Sequence, residues 1–285
     1  MTLRELIALT EQRLRAADLH YGHGTDNPHD EAAWLVLRAL GLPFGADLAQ
    51  PARDIAHIGA LTQRRVKERT PLAYLLKEAW LAGQSFYVDE RVIVPRSHIA
   101  ELLPKLSPRR PRRILDLCTG SGCLAILAAQ AFPAATVDAA DISPAALAVA
   151  RKNVARHRVG RRVRLHRSDL FDALTGRYDL ILTNPPYVGA RAMSELSAEY
   201  RHEPRIALAG GGDGLDLVAR LLAAAPDRLE PEGLLVCEVG DGKAAVQRRF
   251  PRLRLDWLKP QVFAYHPART EPGSRRPPTR GARGR

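Results

Sequence analysis

Cysteine is scarce in this chain, at three residues in 285: Cys118, Cys123 and Cys237. Their spacing matches no zinc-ligand pattern, and so few thiols make no disulfide framework. We therefore expect packed free thiols and no metal. No apolar run reaches the length of a bilayer span, and the N-terminus lacks a secretory pattern. These absences argue against a membrane partner and lead us to expect a cytoplasmic protein. Aromatic residues make up only 6% of the chain. Nowhere do they interleave with basic residues as in a nucleic-acid recognition domain. What is present is an ordinary apolar content of 46%, enough for a full core, and a net charge of +12. Charge of that size and sign suits an acidic partner such as nucleic acid. Arginine supplies 37 of the 43 basic residues, however, which fits a compositional bias as well as a binding face.

The length accommodates a main domain and a smaller one. Residues 1–70 read as a small helical domain, a packing unit or a docking surface for a macromolecular substrate. Thr2 and Glu5 form a capping box ahead of Leu3, Leu6, Ile7 and Leu14 at helical spacing. Asn27-Pro28 starts a second helix with Trp34, Leu37 and Leu40 on one face, and Gly41 stops it. Asp54 opens a third. Residues 71–96 shift to a period of two and read as a β-hairpin linker. Its strands are expected at 84–89 and 91–94, after a turn at Ala82-Gly83. Ser97 is placed to cap a helix through Leu102 and Leu106, weakened at its far end by Pro104.

Over residues 97–267 strands and helices alternate. Strands are expected at 114–117, 136–140, 163–166, 178–183, 233–239, 252–257 and 260–266, with helices at 124–132, 144–157 and 213–225. This rhythm predicts an α/β fold with a doubly wound, mostly parallel, seven-stranded sheet. Residues 268–285 are rich in Arg, Pro and Gly and should form a disordered basic tail. It could touch RNA or be a solvated extension.

Chemistry concentrates at strand ends. The strand at 178–183 runs into Asn184-Pro185-Pro186-Tyr187. Two prolines cannot donate ladder hydrogen bonds, so the strand stops and Asn184 is held at its carboxyl end. There ligands bind in open α/β sheets. The Asn184 side-chain carbonyl and a proline-fixed backbone carbonyl form a pair of acceptors, which suits a planar NH2 group. Such a group is an amide or an exocyclic base amine. Earlier, Asp116-Leu117-Cys118-Thr119-Gly120-Ser121-Gly122 carries a strand through a glycine turn into a helix. Gly120 and Gly122 let backbone approach a ligand, and Asp141 ends the next strand where a carboxylate can accept ribose hydroxyls. The same features fit a dinucleotide fingerprint. Asp116 separates the readings, because its charge would repel a pyrophosphate and suits the cationic end of S-adenosylmethionine. The Asn-Pro-Pro-Tyr turn separates them too, since hydride transfer has no use for it. Asp169 can accept from an adenine amine, and Leu170 or Phe171 can wall the ring.

With these motifs the chain resembles class I S-adenosylmethionine-dependent methyltransferases. More closely it is similar to the HemK/PrmB family of protein-glutamine N(5)-methyltransferases, over about residues 1–257. The likeness rests on residues 70–75 (Thr-Pro-Leu-Ala-Tyr-Leu), 94–97 (Val-Pro-Arg-Ser), 116–122 and 184–187. Residues 78–83 (Glu-Ala-Trp-Leu-Ala-Gly), 94–101 and 199–204 (Glu-Tyr-Arg-His-Glu-Pro) are similar to the branch that methylates the third protein of the large ribosomal subunit. Release-factor methylators usually carry Pro-Asp-Thr-Glu after the Arg that corresponds to Arg96. Lys77 stands where the ribosomal branch usually has Gly, and His98 replaces a usual Pro. The resemblance implies that Asp116, Thr119, Gly120, Gly122, Asp141, Asp169, Leu170 and Asn184 hold S-adenosylmethionine. It implies that Asn184, Pro185, Pro186, Tyr187 and Arg96 bind the substrate, with Asn184, Pro185 and Tyr187 at the reacting amide. The implied partner is a large-subunit ribosomal protein or an assembly precursor. A release factor, or an adenine in nucleic acid, is the alternative acceptor.

Overall fold

Capping chemistry sets the first helices of the computed structural model, which describes residues 1–106 and 111–267. Thr2 and Glu5 form the reciprocal box at the start of α1 (Leu3–Ala16), with Thr2 N donating to the Glu5 carboxylate at 2.8 Å. Asn27 Oδ1 accepts from Asp30 N at 2.9 Å, and Pro28 is the first residue of α2 (Pro28–Ala39). Gly41 follows with φ +69°, the left-handed stop the sequence suggests. Asp54 precedes α3 (Ile55–Glu68), but its side chain makes no capping bond. A short α4 (Leu72–Leu76) completes the helical region.

The hairpin sits earlier than expected. Its strands are β1 (Ala79–Leu81) and β2 (Gln84–Phe86), paired antiparallel with Ala79 opposite Phe86. Ala82 and Gly83 form the turn between them rather than before them. Both have positive φ, +50° and +74°, as a two-residue hairpin turn of matching twist requires. Lys77 is also left-handed, φ +54°, which is the geometry a glycine takes easily and accounts for the family's preference there. Residues 91–94 form no strand. Val92 N turns back to the Asp89 carbonyl at 3.1 Å and Val94 N donates to the Glu203 carboxylate at 2.9 Å. The apolar alternation of Val92 and Val94 there reflects burial of an irregular segment held by side chains.

Beyond the hairpin come α5 (Ile99–Leu102), β3 (Arg113–Leu117), α6 (Cys123–Ala131), β4 (Thr136–Asp141), α7 (Pro144–Arg156), β5 (Val163–Arg167) and β6 (Tyr178–Thr183). Then follow α8 (Ala190–Ser194), α9 (Asp216–Arg228), β7 (Leu229–Glu238), α10 (Lys243–Arg249), β8 (Leu255–Lys259) and β9 (Val262–Tyr265). Pro104 turns the segment after α5 into a 3₁₀ turn, as its missing N–H predicts. The sheet order is β5-β4-β3-β6-β7-β9-β8, and only the pairings of β9 are antiparallel. Strand alternation splits the core in two. Ile114, Leu180, Leu182 and Val236 pack on one face, and Leu115, Leu117, Ile181 and Leu235 on the other. The core of the helical region takes in Ala146 and Val149 of α7.

From β3 the chain first winds outward through β4 and β5, then returns to β6 and winds the other way. The carboxyl ends of β3 and β6, neighbours with Leu117 opposite Thr183, therefore flank a topological switch point, where doubly wound sheets open a crevice. No helix among the described residues is long and apolar enough to cross a membrane. The expected tail at 268–285 lies outside the described residues.

Candidate active site

The glycine turn after β3 and the Asn-Pro-Pro-Tyr turn after β6 meet at this crevice. A cavity of about 240 Å³ opens there, and Gly120, Asp141, Asp169, Leu170, Asn184 and Pro186 are among its lining residues. Asp141 spans the loops that border it: Oδ2 accepts from Gly120 N and Oδ1 from Ser143 N, both at 2.9 Å. Burial pushes its carboxyl above the usual range even so. Asp169 lies on the wall in an ion pair with Arg220 at 2.9 Å, so its charge is shared with a cation the sequence did not single out. Cys118, φ +57°, lines the cavity as a free thiol.

Asp116, Thr119 and Gly122 do not line this cavity; they lie behind the loop. Asp116 is 1% exposed. Its Oδ2 accepts from the Thr119 hydroxyl at 2.5 Å and from Ala125 N at 3.0 Å. Its Oδ1 is buried with no hydrogen-bond partner among the described residues. Burial raises the carboxyl from 3.8 to about 7. A buried carboxylate oxygen left without a partner calls for a reason, and a cationic ligand group is one. Gly122 immediately precedes α6 with φ +80°, and a Cβ on it would lie 3.2 Å from Ala150. Its role is to let α6 close against α7.

A second cavity, of about 210 Å³, adjoins the first at Asn184. Arg96, Pro185, Tyr187 and Tyr200 are on its wall. The Asn184 Nδ2 donates to the Arg96 carbonyl at 3.1 Å. A carbonyl only accepts, so the amide nitrogen must face it. That leaves Oδ1 as the free acceptor, and among the described residues nothing donates to it. Tyr187 is half-buried; burial, then the nearby Glu238, push its hydroxyl up to about 12. It therefore stays protonated and offers a ring rather than a charge. The Arg96 guanidinium lines the cavity, but both of its terminal nitrogens are held by Glu203 at 2.6 Å. Its charge is committed, and its backbone carbonyl is what addresses Asn184.

Sequence reasoning missed the parts that brace this turn. Val188 N donates to Leu208 O at 2.8 Å and Gly210 N to Val188 O at 2.9 Å, so residues 208–210 line up beside the turn. A Cβ on Gly210 would come 2.7 Å from the Pro186 carbonyl. The glycine run at 210–212 was a visible signal for such close approach. Gly214, with φ +84°, falls inside the expected helix and delays α9, which begins at Asp216 rather than at 213. Glu203 lay within the 199–204 motif but with no role assigned to it, and Glu238 and Arg220 gave no signal, because an acid or an arginine in a charged chain reads as surface.

The sheet order, the crevice at its switch point and the paired loops define a class I methyltransferase. A family model described as methyltransferase small domain matches residues 99–230. Over 90% of this chain, 51% of residues are identical to the ribosomal protein uL3 glutamine methyltransferase of Bordetella pertussis strain Tohama I, with 90% of that protein covered. The protein of the same description from Neisseria meningitidis serogroup B is 44% identical over 90% of this chain and 89% of its own. The chain belongs to this family and is a protein-glutamine methyltransferase. Among solved structures, the catalytic domain of hMettl16 in complex with MAT2A 3′UTR hairpin 6 superposes with a TM-score of 0.52 at 13% identity. It covers 75% of this chain and 81% of its own, a likeness of fold alone.

Proposed function

We propose that the enzyme methylates the side-chain amide nitrogen of a glutamine in ribosomal protein uL3, with S-adenosylmethionine as donor. The names of the relatives support the substrate. The observation that carries the chemistry is the position of Asn184 on the border of both cavities, with Oδ1 free to accept. The residues around the first cavity fit the cofactor. Asp141 offers a carboxylate for hydroxyls, Leu170 an apolar wall and Asp169 an acceptor, while the orphaned Asp116 Oδ1, behind the loop rather than on the cavity wall, is the partner left for a cationic end. Thr119, Gly120 and Gly122 shape the loop between them. When bound, S-adenosylmethionine supplies an electrophilic methyl group that needs no activation.

The acceptor is the difficult partner, because an amide nitrogen shares its lone pair with its carbonyl. Asn184 Oδ1 and the Pro185 carbonyl accept its two hydrogens. They hold the nitrogen still and stabilise positive charge as it develops there. Pro186 and Tyr187 close around the planar group, and Arg96 shapes the wall. No strong base is needed before transfer, and water takes the proton afterwards. In this reading residues 1–70 dock the substrate protein, 71–96 link, and 97–267 carry the chemistry in the cytoplasm. Contact with the RNA of an assembly precursor would draw on the basic tail at 268–285, which lies outside the described residues.

The test is transfer from labelled cofactor to isolated uL3, to a peptide release factor and to RNA, side by side at equal concentration. We expect uL3 to be labelled fastest, at a glutamine located by mass spectrometry. Faster labelling of the release factor would move the substrate while keeping the chemistry, and labelling of RNA would overturn both.

A further inference from the structure

The orientation of Asn184 depends on one bond, from Nδ2 to the Arg96 carbonyl. That carbonyl sits in residues 93–97, which have no helix or strand to hold them. Two buried carboxylates clamp the segment instead, one on each side of it. Glu203, 4% exposed, accepts from Val94 N at 2.9 Å and from both terminal nitrogens of Arg96 at 2.6 Å. Glu238, 3% exposed, accepts from Ser97 Oγ at 2.6 Å and His98 N at 3.0 Å. Neither glutamate lines either cavity. Burying two carboxylates is unfavourable, and each must be fully satisfied to be tolerated. Apolar neighbours already anchor the segment, since Val94 and Ile99 are fully buried. Hydrophobic burial is non-directional and does not fix a peptide plane. Charge-assisted, bidentate bonds do.

We propose that Glu203 and Glu238 are positioning residues for methyl transfer. By fixing the Arg96 peptide they set the plane of the Asn184 amide, and so the direction of Oδ1 toward the acceptor. The inference rests on the role given above to Asn184. The two carboxylates arrive from separate places, Glu203 from the turn after Tyr200–His202 and Glu238 from the end of β7. Glu203 also lies 3.7 Å from His23 Nε2 of the helical region, so the clamp packs against that region without a hydrogen bond to the ring.

The experiment is a double-mutant cycle on turnover. Glu203→Gln keeps an acceptor for Val94 N and loses the charged pair with Arg96. We expect kcat to fall about 10- to 100-fold, as for a small misplacement of a reacting group, with the cofactor Kd unchanged. Ser97→Ala loosens the Glu238 side and should lower kcat about 2- to 12-fold, the range for one lost hydrogen bond. In an Asn184→Ala background neither change should cost anything further, because their effect passes through Asn184. Additive losses in that background overturn the proposal, and so does unchanged kcat in both single variants. If Asn184→Ala alone leaves kcat intact, the reading of Asn184 has failed instead. Should Glu203→Gln not fold, as read by near-ultraviolet circular dichroism, the Ser97→Ala cycle decides.

Discussion

Asp116 shows how one residue carries a local signal and a hidden cost. The sequence places an acid before a glycine turn, and burial then raises that carboxyl to about 7. The sign follows from linkage. A carboxyl raised in the folded protein holds its proton there after the unfolded chain has released it. Its contribution to stability is thus fully present below 3.8 and is lost as pH rises through about 7. A cofactor with a cationic end binds the ionised form, so binding below pH 7 must expel the proton. We predict that S-adenosylmethionine affinity falls as pH drops from 8 to 6, with proton release that grows over the same range. Calorimetry in two buffers of different ionisation enthalpy reads this directly, and Asp116→Asn should abolish the release. Pairing at Asp116 is refuted by binding at pH 6 that releases no proton. The sequence showed the acid; that one of its oxygens would be buried without a partner, while the other is held by Thr119 and Ala125, was decided by packing.

At the scale of elements, the turn after β6 is held by pieces far apart in the chain. Asn184 to Tyr187 were legible because two prolines after a buried strand have few other uses. Their supports were not. Gly240, two residues past β7, has φ +52°, and a Cβ there would come 2.7 Å from the Tyr187 ring. Gly240→Ala should therefore displace Tyr187 and add backbone strain of about 1–2 kcal/mol. We expect catalytic efficiency to drop about tenfold or more, as a misplaced substrate contact does, with cofactor affinity kept. Steady-state kinetics beside cofactor titration checks this, and normal efficiency would show that Tyr187 does not fix the acceptor. The hairpin teaches the converse. Val92 and Val94 alternate like a strand, yet their segment pairs with Glu203 rather than a neighbouring strand. Alternation reports burial of every second side chain, which any extended segment under a domain can satisfy.

At the scale of the whole molecule, the helical region is joined to the methyltransferase sheet by buried charge. Arg65, 1% exposed, meets Glu31 at 2.6 Å and Glu199 at 3.4 Å, and it donates to the His20 carbonyl at 3.0 Å. Arg69 joins the same Glu199 at 3.3 Å. Arg65→Ala leaves Glu31 buried without its cation, a change that typically destabilises by about 3–5 kcal/mol. We predict a loss of that size in urea unfolding, and a smaller one when Glu31 and Arg65 are replaced together by apolar residues of similar volume. Losses near zero for Arg65→Ala would show that the network does not hold the two regions. Residues 199–204 thus connect the helical region to the clamp around Asn184, through Glu199 bonded to Arg65 and Arg69 on one side and Glu203 bonded to Arg96 on the other.

The sequence by itself determined the fold class, the strand count, the first two helix caps and the two turns that border the crevice. These follow from local chemistry: periodicity, capping side chains, and prolines or glycines whose backbone restrictions act within a few residues. Only the tertiary structure decided that Asp116 sits behind the glycine loop after β3, that the Arg96 charge is committed to Glu203, and that the Asn184 amide points by way of the Arg96 carbonyl. Each of these is a contact across 88 or more residues, or the burial that follows from packing. A side chain's identity says what bonds it can make, and the folded chain alone says which partner reaches it first.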